Sequence, residues 1–457
     1  MTSAAHRKRI WGWFFFDWAS QPYNTLLLTF IFAPYIKELF SDGAAAQAAW
    51  GYTVGAAGVV IALLAPFLGA MADKGGHRIA WIRVFSVLYV LGAGGVWLAD
   101  PGGFDLTLVL VLFAMGIVGM EFATIFTNSM LPDLGGPDEI GGISGSGWAF
   151  GYVGGLVALV IMLFFFAESA EGTTLLGLTP ALGLDPDARE GTRFVGPFTA
   201  LWYIVFMVPF FLWVKEPRGH AGEPLLNAVR DAWPELRGTL KSLPRTPSLF
   251  AFLASSMFYR DALNGLYVFG GLYAAGVLGW GVIDTGIFGI IAVVSAALFA
   301  WIGGKADNRF GPKPVILFCV LVLTAICCAV IFVSRSSVLG IPVQPDSSLP
   351  DLTFYVMGAA IGAAGGALQS ASRTMMCRQS DPERTTQAFG LYALAGKATS
   401  FLAPLSIGLV TDLTNSQQAG IAPLILLFLL GIVLLNWVKP ERERAVCPSP
   451  ERSSPPA

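Results

Sequence analysis

Apolar residues recur along this chain in long runs, separated at short intervals by clusters of charge, glycine and proline. Many runs reach the roughly 20 residues that a helix needs to cross a bilayer. The pattern predicts twelve membrane-spanning helices, at about 10–38, 48–72, 79–99, 105–131, 142–167, 194–215, 248–275, 281–304, 314–334, 351–377, 385–411 and 420–438. Six lie on each side of the charged, four-proline segment KEPRGHAGEPLLNAVRDAWPELRGTLKSLPRT (215–246). The expected organisation is an all-α polytopic membrane protein with an N-terminal six-helix bundle (1–215), a cytoplasmic linker (216–246), a C-terminal six-helix bundle (247–438) and a disordered Pro/Ser-rich tail (439–457). Within the linker, Leu225, Leu226, Val229 and Trp233 recur at helical spacing, which fits either an amphipathic surface helix or a plain solvated connection.

The polar positions inside the apolar runs carry the chemistry. In FFFDWASQPYNTLLLTF (14–30), Asp17, Ser20, Gln21 and Asn24 fall three, four and seven apart, on one helical face. Six ionisable residues lie well within the spans: Asp17, Glu121, Arg260, Asp261, Arg373 and Lys397. Each would cost about 2.5–3.5 kcal/mol at a bilayer centre on insertion scales. Their charges sum to zero, and all three bases are in the second half. Glu121 shares a face with Thr124 and Asn128, Arg260 with Asn264 and Tyr267, and Arg373 with Gln369. Such residues line either a wet cavity between the halves or a structural ion pair or gate. On the first reading Asp17, Gln21, Asn24, Glu121, Asn128, Arg260, Asp261, Asn264, Gln369, Arg373 and Lys397 are the candidate solute-binding set. Glu121, the deepest acid of the first half, is the candidate for carrying a coupling proton, if the protein is proton-coupled.

Composition supports the membrane reading. Hydrophobic residues make up 55% of the chain and charged ones 13%, against about 25% in soluble domains. The net charge of −2 gives no sign of nucleic-acid binding. With both termini cytoplasmic, 21 of the 28 Lys and Arg fall in inner segments, 4 in outer ones and 3 within spans. The basic start MTSAAHRKRIWGW has no short apolar core with a cleavage site and does not read as a cleaved signal peptide. Histidines occur only at His6, His77 and His220, and the five cysteines have no metal-type spacing. No catalytic set, metal cluster or phosphate loop is present in the pattern, so neither an enzyme nor a cofactor is expected.

The halves repeat. Residues 129–147 align with 374–392 at an offset of 245, which matches Pro137 to Pro382 and, one residue before the stretches, Asn128 to Arg373. An offset of 244 matches Asp17 to Asp261 and Tyr23 to Tyr267. LGAMADKGGHR (68–78) and GGKADNRFGPK (303–313) each occupy the loop expected after the second span of their half. Parallel six-helix repeats are a transporter signature. Glycines at Gly147, Gly151 and Gly155, and at Gly358, Gly362 and Gly366, recur every four residues and allow close helix packing.

Gly69, Asp73, Gly76 and Arg78, with a second copy at Gly303, Asp307, Gly311 and Lys313, resemble the loop motif of the major facilitator superfamily. FDWASQPYNT and ISGSGWAFGYVGG (143–155) resemble the vacuolar amino-acid effluxer family within it, which has many bacterial relatives. The resemblance implies two pseudo-symmetric bundles rocking about a central site, with the two loop motifs as gates. The expected function is secondary transport of a small polar solute, with amino acids as the first choice and efflux as the family's direction. Drug, sugar or anionic-metabolite export is the alternative within transport. A non-transporting membrane assembly factor or sensor is the alternative outside it. The expected partners are the solute, the lipid bilayer and protons, and the expected state is a monomer in a bacterial cytoplasmic membrane.

Overall fold

The computed structural model describes residues 3–40, 43–169, 171–216, 225–280, 282–344 and 346–441. The expected disordered tail lies mostly outside these residues, as do Cys447 and residues 217–224 of the linker.

Twelve helical spans are present among the described residues. Span 1 runs as Ser3–Pro22, passes through a π-helical stretch at Tyr23–Phe30 and ends as Phe32–Glu38. Spans 2 to 5 are Gly43–Gly75, Arg78–Gly95, Leu106–Asn128 and Ile140–Phe165. Span 6 joins Glu190–Arg193 to Val195–Trp213. Spans 7 to 10 are Pro247–Leu278, Val282–Phe310, Pro312–Val330 and Leu349–Gln379. Span 11 is broken into Thr385–Ala398 and Leu402–Thr414, and span 12 is Ala422–Leu435. Among the described residues nine helices are long and apolar enough to cross a membrane by composition alone. Spans 1 and 7, which hold Asp17 and the pair Arg260 and Asp261, are not among the nine, and span 12 is shorter.

The outer surface is apolar. Leu63, Val87, Val111, Leu201 and Phe318 are all more than half exposed. A water-facing surface would not carry such a belt, whereas lipid solvates it, and the helices satisfy their own backbone groups. The two loop motifs differ from expectation in one respect. Asp73 and Asp307 sit on the last turns of spans 2 and 8, not in loops. The turn itself falls later, where Gly76 (φ 64°) and Gly311 (φ 84°) adopt the left-handed backbone that glycine accepts without strain.

The first and last described segments lie at one end of the molecule, here called the terminal end. Arg9 donates to the Asp133 carbonyl, Arg378 to the Pro137 carbonyl and Lys313 to the Val438 carbonyl, so the start, the 4–5 connection, the 8–9 turn and the end of span 12 form one surface. The two halves meet mainly at this end, span 2 against span 11 and span 5 against span 8. Small residues make that approach possible. A Cβ on Gly145 would stand 2.7 Å from the Cα of Gly304, and one on Gly390 would stand 2.9 Å from the Cα of Pro66. The halves are therefore in close contact at the terminal end. The linker contains a helix, Leu225–Ser242, as the helical spacing of its apolar residues predicts. Ala228 and Ala232 pack on Ala70 and Met71 of span 2, while Trp233 is exposed.

Candidate functional site

The terminal-end contact rests on helix N-termini, whose first N–H groups have no partner within the helix. Span 11 begins at Thr385, and Asp73 of span 2 accepts from Thr386 N at 3.0 Å and from Gln387 N at 2.7 Å. A carboxylate there satisfies two orphan donors and faces the positive end of the helix dipole. Gly69 makes room, since a Cβ on it would stand 2.7 Å from the Thr386 carbonyl. Arg78 stays within its own bundle, donating to Asp133 at 3.0 Å and to the Ser129 carbonyl at 2.9 Å. The second motif meets span 5, which begins at Ile140. There Asn308 accepts from Gly142 N at 2.7 Å, and Asp307 is fully buried beside Gly141. Gly303 lets span 8 approach Ala367 of span 10.

A second bridge lies one layer deeper. Arg373 of span 10 is almost fully buried and reaches three spans of the other half. It donates to Asp17 Oδ2 at 3.1 Å, to Asn128 Oδ1 at 3.1 Å, to Ser144 Oγ at 2.9 Å and to the Ser144 carbonyl at 2.6 Å. Its guanidinium also lies over the rings of Trp13 and Trp148. Arg373 and Asn128 are repeat-related positions, and their contact places them beside the pseudo-twofold axis. A Cβ on Gly147 would stand 2.7 Å from Asp17 Oδ2, so this glycine gives the carboxylate its place.

Toward the far side the polar groups become accessible. Lys397 Nζ of span 11 lies 2.9 Å from Glu121 Oε1 of span 4, and the two side chains are 31% and 27% exposed. Arg260 of span 7 lies 4.1 Å above the Tyr392 ring and donates to the Tyr392 carbonyl at 3.0 Å. Gln369 donates to the Tyr152 hydroxyl at 2.8 Å, a further link between halves. Asn264 and Tyr267 of span 7 are exposed, and Asn24 donates to the Met120 sulfur. Gln21 packs against Gly155 and is half-buried. Asp261 stands apart from these. It is 1% exposed and its Oδ2 accepts from Ala403 N at 2.9 Å, at the start of the second half of span 11.

The structure thus divides the expected set. Glu121, Lys397 and Arg260 form an accessible group of both charges. Asp17, Asn128 and Arg373 form a closed bridge. Ser144, Trp148, Tyr152 and Tyr392 complete the two groups and were not anticipated. Serines and aromatics are ordinary in membrane helices, so nothing in the pattern separates these four from packing residues. No group of metal-ligating side chains occurs among the described residues.

Two bundles of six, closed on one another at one end by paired motifs and holding charges at their interface, define a transporter of the major facilitator superfamily. Solved structures share the fold. The proton:xylose symporter XylE superposes with a TM-score of 0.70 at 12% identity over 95% of each chain. The E. coli fucose:proton symporter FucP superposes with a TM-score of 0.67 at 16% identity, over 94% of this chain and 98% of that one. Residues 45–447 match the family described as "Vacuole effluxer Atg22 like", and the chain belongs to that family. An uncharacterized MFS-type transporter of Bacillus subtilis, YxiO, is 25% identical over 94% of both chains. Autophagy-related protein 22 of Cryptococcus neoformans is 25% identical over 66% of this chain and 51% of its own length. The chain thus spans about half of the fungal relative.

Proposed function

We propose that this transporter moves small zwitterionic solutes, amino acids first among them, by alternating access, and that Glu121, Lys397 and Arg260 hold the solute. The observation that carries the reading is the partly exposed Lys397–Glu121 pair, with Arg260 held nearby on Tyr392. An α-carboxylate competes for the two bases and an α-ammonium for Glu121. A zwitterion can therefore replace the pair's own contact without leaving an unpaired charge, which would be costly away from bulk water. A sugar offers no charge to either partner, and an anion leaves Glu121 opposed. The family description supports an effluxer, and we propose export as the working direction.

We further propose that both termini are cytoplasmic, in a bacterial cytoplasmic membrane, and that the protein acts as a monomer. The excess of Lys and Arg at the terminal end supports this orientation. The closed end is then cytoplasmic and the conformation outward-facing. The gate motifs at Asp73 and Asp307 hold that state, with Gly69 allowing the approach of span 11, whereas Arg78 and Lys313 bond within their own halves.

The test is a thermal-shift screen of the purified protein against amino acids, sugars, nucleosides and organic anions, followed by counterflow in proteoliposomes. A ligand at 100 times its Kd stabilises the protein by about 2.7 kcal/mol. Stabilisation and counterflow by one or more amino acids, and not by sugars or anions, is the expected result. Counterflow by a sugar or a dicarboxylate alone would replace the zwitterion reading, and the absence of any flux would favour a sensor or assembly role.

A further inference from the structure

The repeat relates Asp17 to Asp261, yet the two carboxylates have opposite surroundings. Asp17 is matched by the guanidinium of Arg373 at 3.1 Å. The repeat position of Arg373 in the first half is Asn128, which is neutral, so the base that symmetry would set against Asp261 is missing. No other group replaces it among the described residues. Span 12, the main neighbour of span 7, brings no titratable side chain. Span 11 brings Tyr392 and Lys397, but Arg260 lies over Tyr392 and Lys397 is paired with Glu121; its Asp412 is exposed. Span 10 brings Arg373, which is committed to Asp17, Asp351, which is paired with Arg335, Arg378, which with Cys377 lies at the terminal end and donates to the Pro137 carbonyl, and Tyr355, which donates to the Asp284 carbonyl at the opposite end. Span 8 brings Lys305, which lies over Trp301, and Asp307 and Arg309 at the terminal end. Its Asp284 is at the opposite end. Asp261 is 1% exposed, one of its oxygens caps Ala403 N, and the other has no partner.

The helix facing this carboxylate is unwound. Span 11 loses its helix between Ala398 and Leu402, and the Thr399 hydroxyl donates to the Met257 carbonyl, one turn before Asp261 on span 7. Breaks in membrane helices expose backbone groups that can take ions, and they are tolerated where they line a site. A buried carboxylate oxygen without a donor, beside such a break, lacks one positive charge. Because a single acid is present, a monovalent cation balances the site and a divalent one would overcharge it.

We propose that Asp261 and the unwound turn at Thr399–Phe401 form a site for a small monovalent cation, H+ or Na+, whose gradient drives transport. The proposal rests on the transport function of the family and not on the identity of the solute. The unwound turn begins two residues after Lys397, so loading the site acts on the residue that pairs with Glu121 across the halves. Ion occupancy and solute binding are linked through that one short segment.

The test needs no solute. Melting temperatures of the purified full chain are measured in NaCl against choline chloride at constant ionic strength, and across pH at fixed salt. Wild type is expected to show a saturable rise with Na+, which identifies sodium, or a response to pH alone, which identifies the proton. Asp261→Asn keeps an acceptor for Ala403 N and imitates the neutralised site. It is expected to fold, to melt like the cation-saturated wild type, and to lose the response. A variant that does not fold, or one that responds like wild type, overturns the site. In proteoliposomes, counterflow of whichever solute is identified persists in Asp261→Asn while gradient-driven accumulation is lost. Accumulation at the wild-type rate overturns the coupling role. If amino-acid counterflow fails in the wild type, the solute reading falls while the melting experiments still decide the cation site.

Discussion

At the scale of single residues, the charges divide by accessibility. Lys397 and Glu121 are each about 30% exposed and can exchange partners with an incoming solute, whereas Arg373 has no room to do so. Lys397→Ala and Glu121→Gln are therefore expected to leave folding intact and to lower solute affinity at least tenfold, measured by calorimetry. Glu121→Gln is expected to lose counterflow and gradient-driven uptake together. Retained counterflow with lost gradient-driven uptake would return the coupling proton to Glu121. Arg373→Ala should act differently. Breaking a buried pair by removing one partner costs about 3–5 kcal/mol. Here the pair joins two bundles, so the cost falls on the closed terminal end more than on either bundle's folding. The presence of these charges was legible in the sequence, because an ionisable residue in an apolar helix stands out by its insertion cost. Their pairing was not. Three acids and three bases admit several neutral pairings, and only the packing of spans 1, 4, 10 and 11 decides among them. Asp261 shows the limit well. It looked like a cavity residue by its repeat match to Asp17, but the same match hides the difference between Arg373 and Asn128.

At the scale of elements, the terminal end depends on backbone meeting backbone. Gly69 faces Thr386 and Gln387 at distances that no Cβ tolerates, and the atoms it meets are main-chain atoms that cannot rotate away. Gly69→Val should therefore prevent the contact between spans 2 and 11, while Asp73→Asn should weaken it by removing the charge that faces the helix N-terminus. Both variants are expected to bind solute within a few-fold of wild type and to transport more slowly. Full transport with weakened binding would place Asp73 in the solute site instead. The breaks within spans were the least legible features. Span 11 reads as one apolar run, yet Pro404 cannot donate to the Ser400 carbonyl and favours the first turn of a new helix, which begins at Leu402. That signal was available in the sequence and was outweighed by hydropathy. The helix over Leu225–Ser242 was legible as a pattern, but its seat on span 2 depends on small residues, Ala228 and Ala232, which carry little pattern of their own.

At the scale of the whole molecule, the order of spans and the two halves followed from hydropathy, and the pseudo-twofold relation of the halves follows from the repeat. Asn128 and Arg373 occupy equivalent positions and touch at 3.1 Å, so the pseudo-twofold axis passes beside this point. Motion that opens the terminal end must separate Arg373 from Asp17 and Ser144, while closing the far side must bring span 2 toward span 11 near Lys397. Gly58 of span 2 reports on that second movement. A Cβ there would meet only the Lys397 side chain, at 3.9 Å, so a cysteine fits without strain. In a variant lacking the native cysteines, Gly58→Cys is expected to react with a membrane-impermeant maleimide added outside intact cells. Adding Arg373→Ala should lower that rate several-fold, because loss of the bridge favours the state open at the terminal end. A rate unchanged by Arg373→Ala would mean that the bridge does not set the balance between the two states. Labelling only in inverted vesicles would reverse the orientation inferred from the Lys and Arg distribution, and with it the assignment of this conformation as outward-facing.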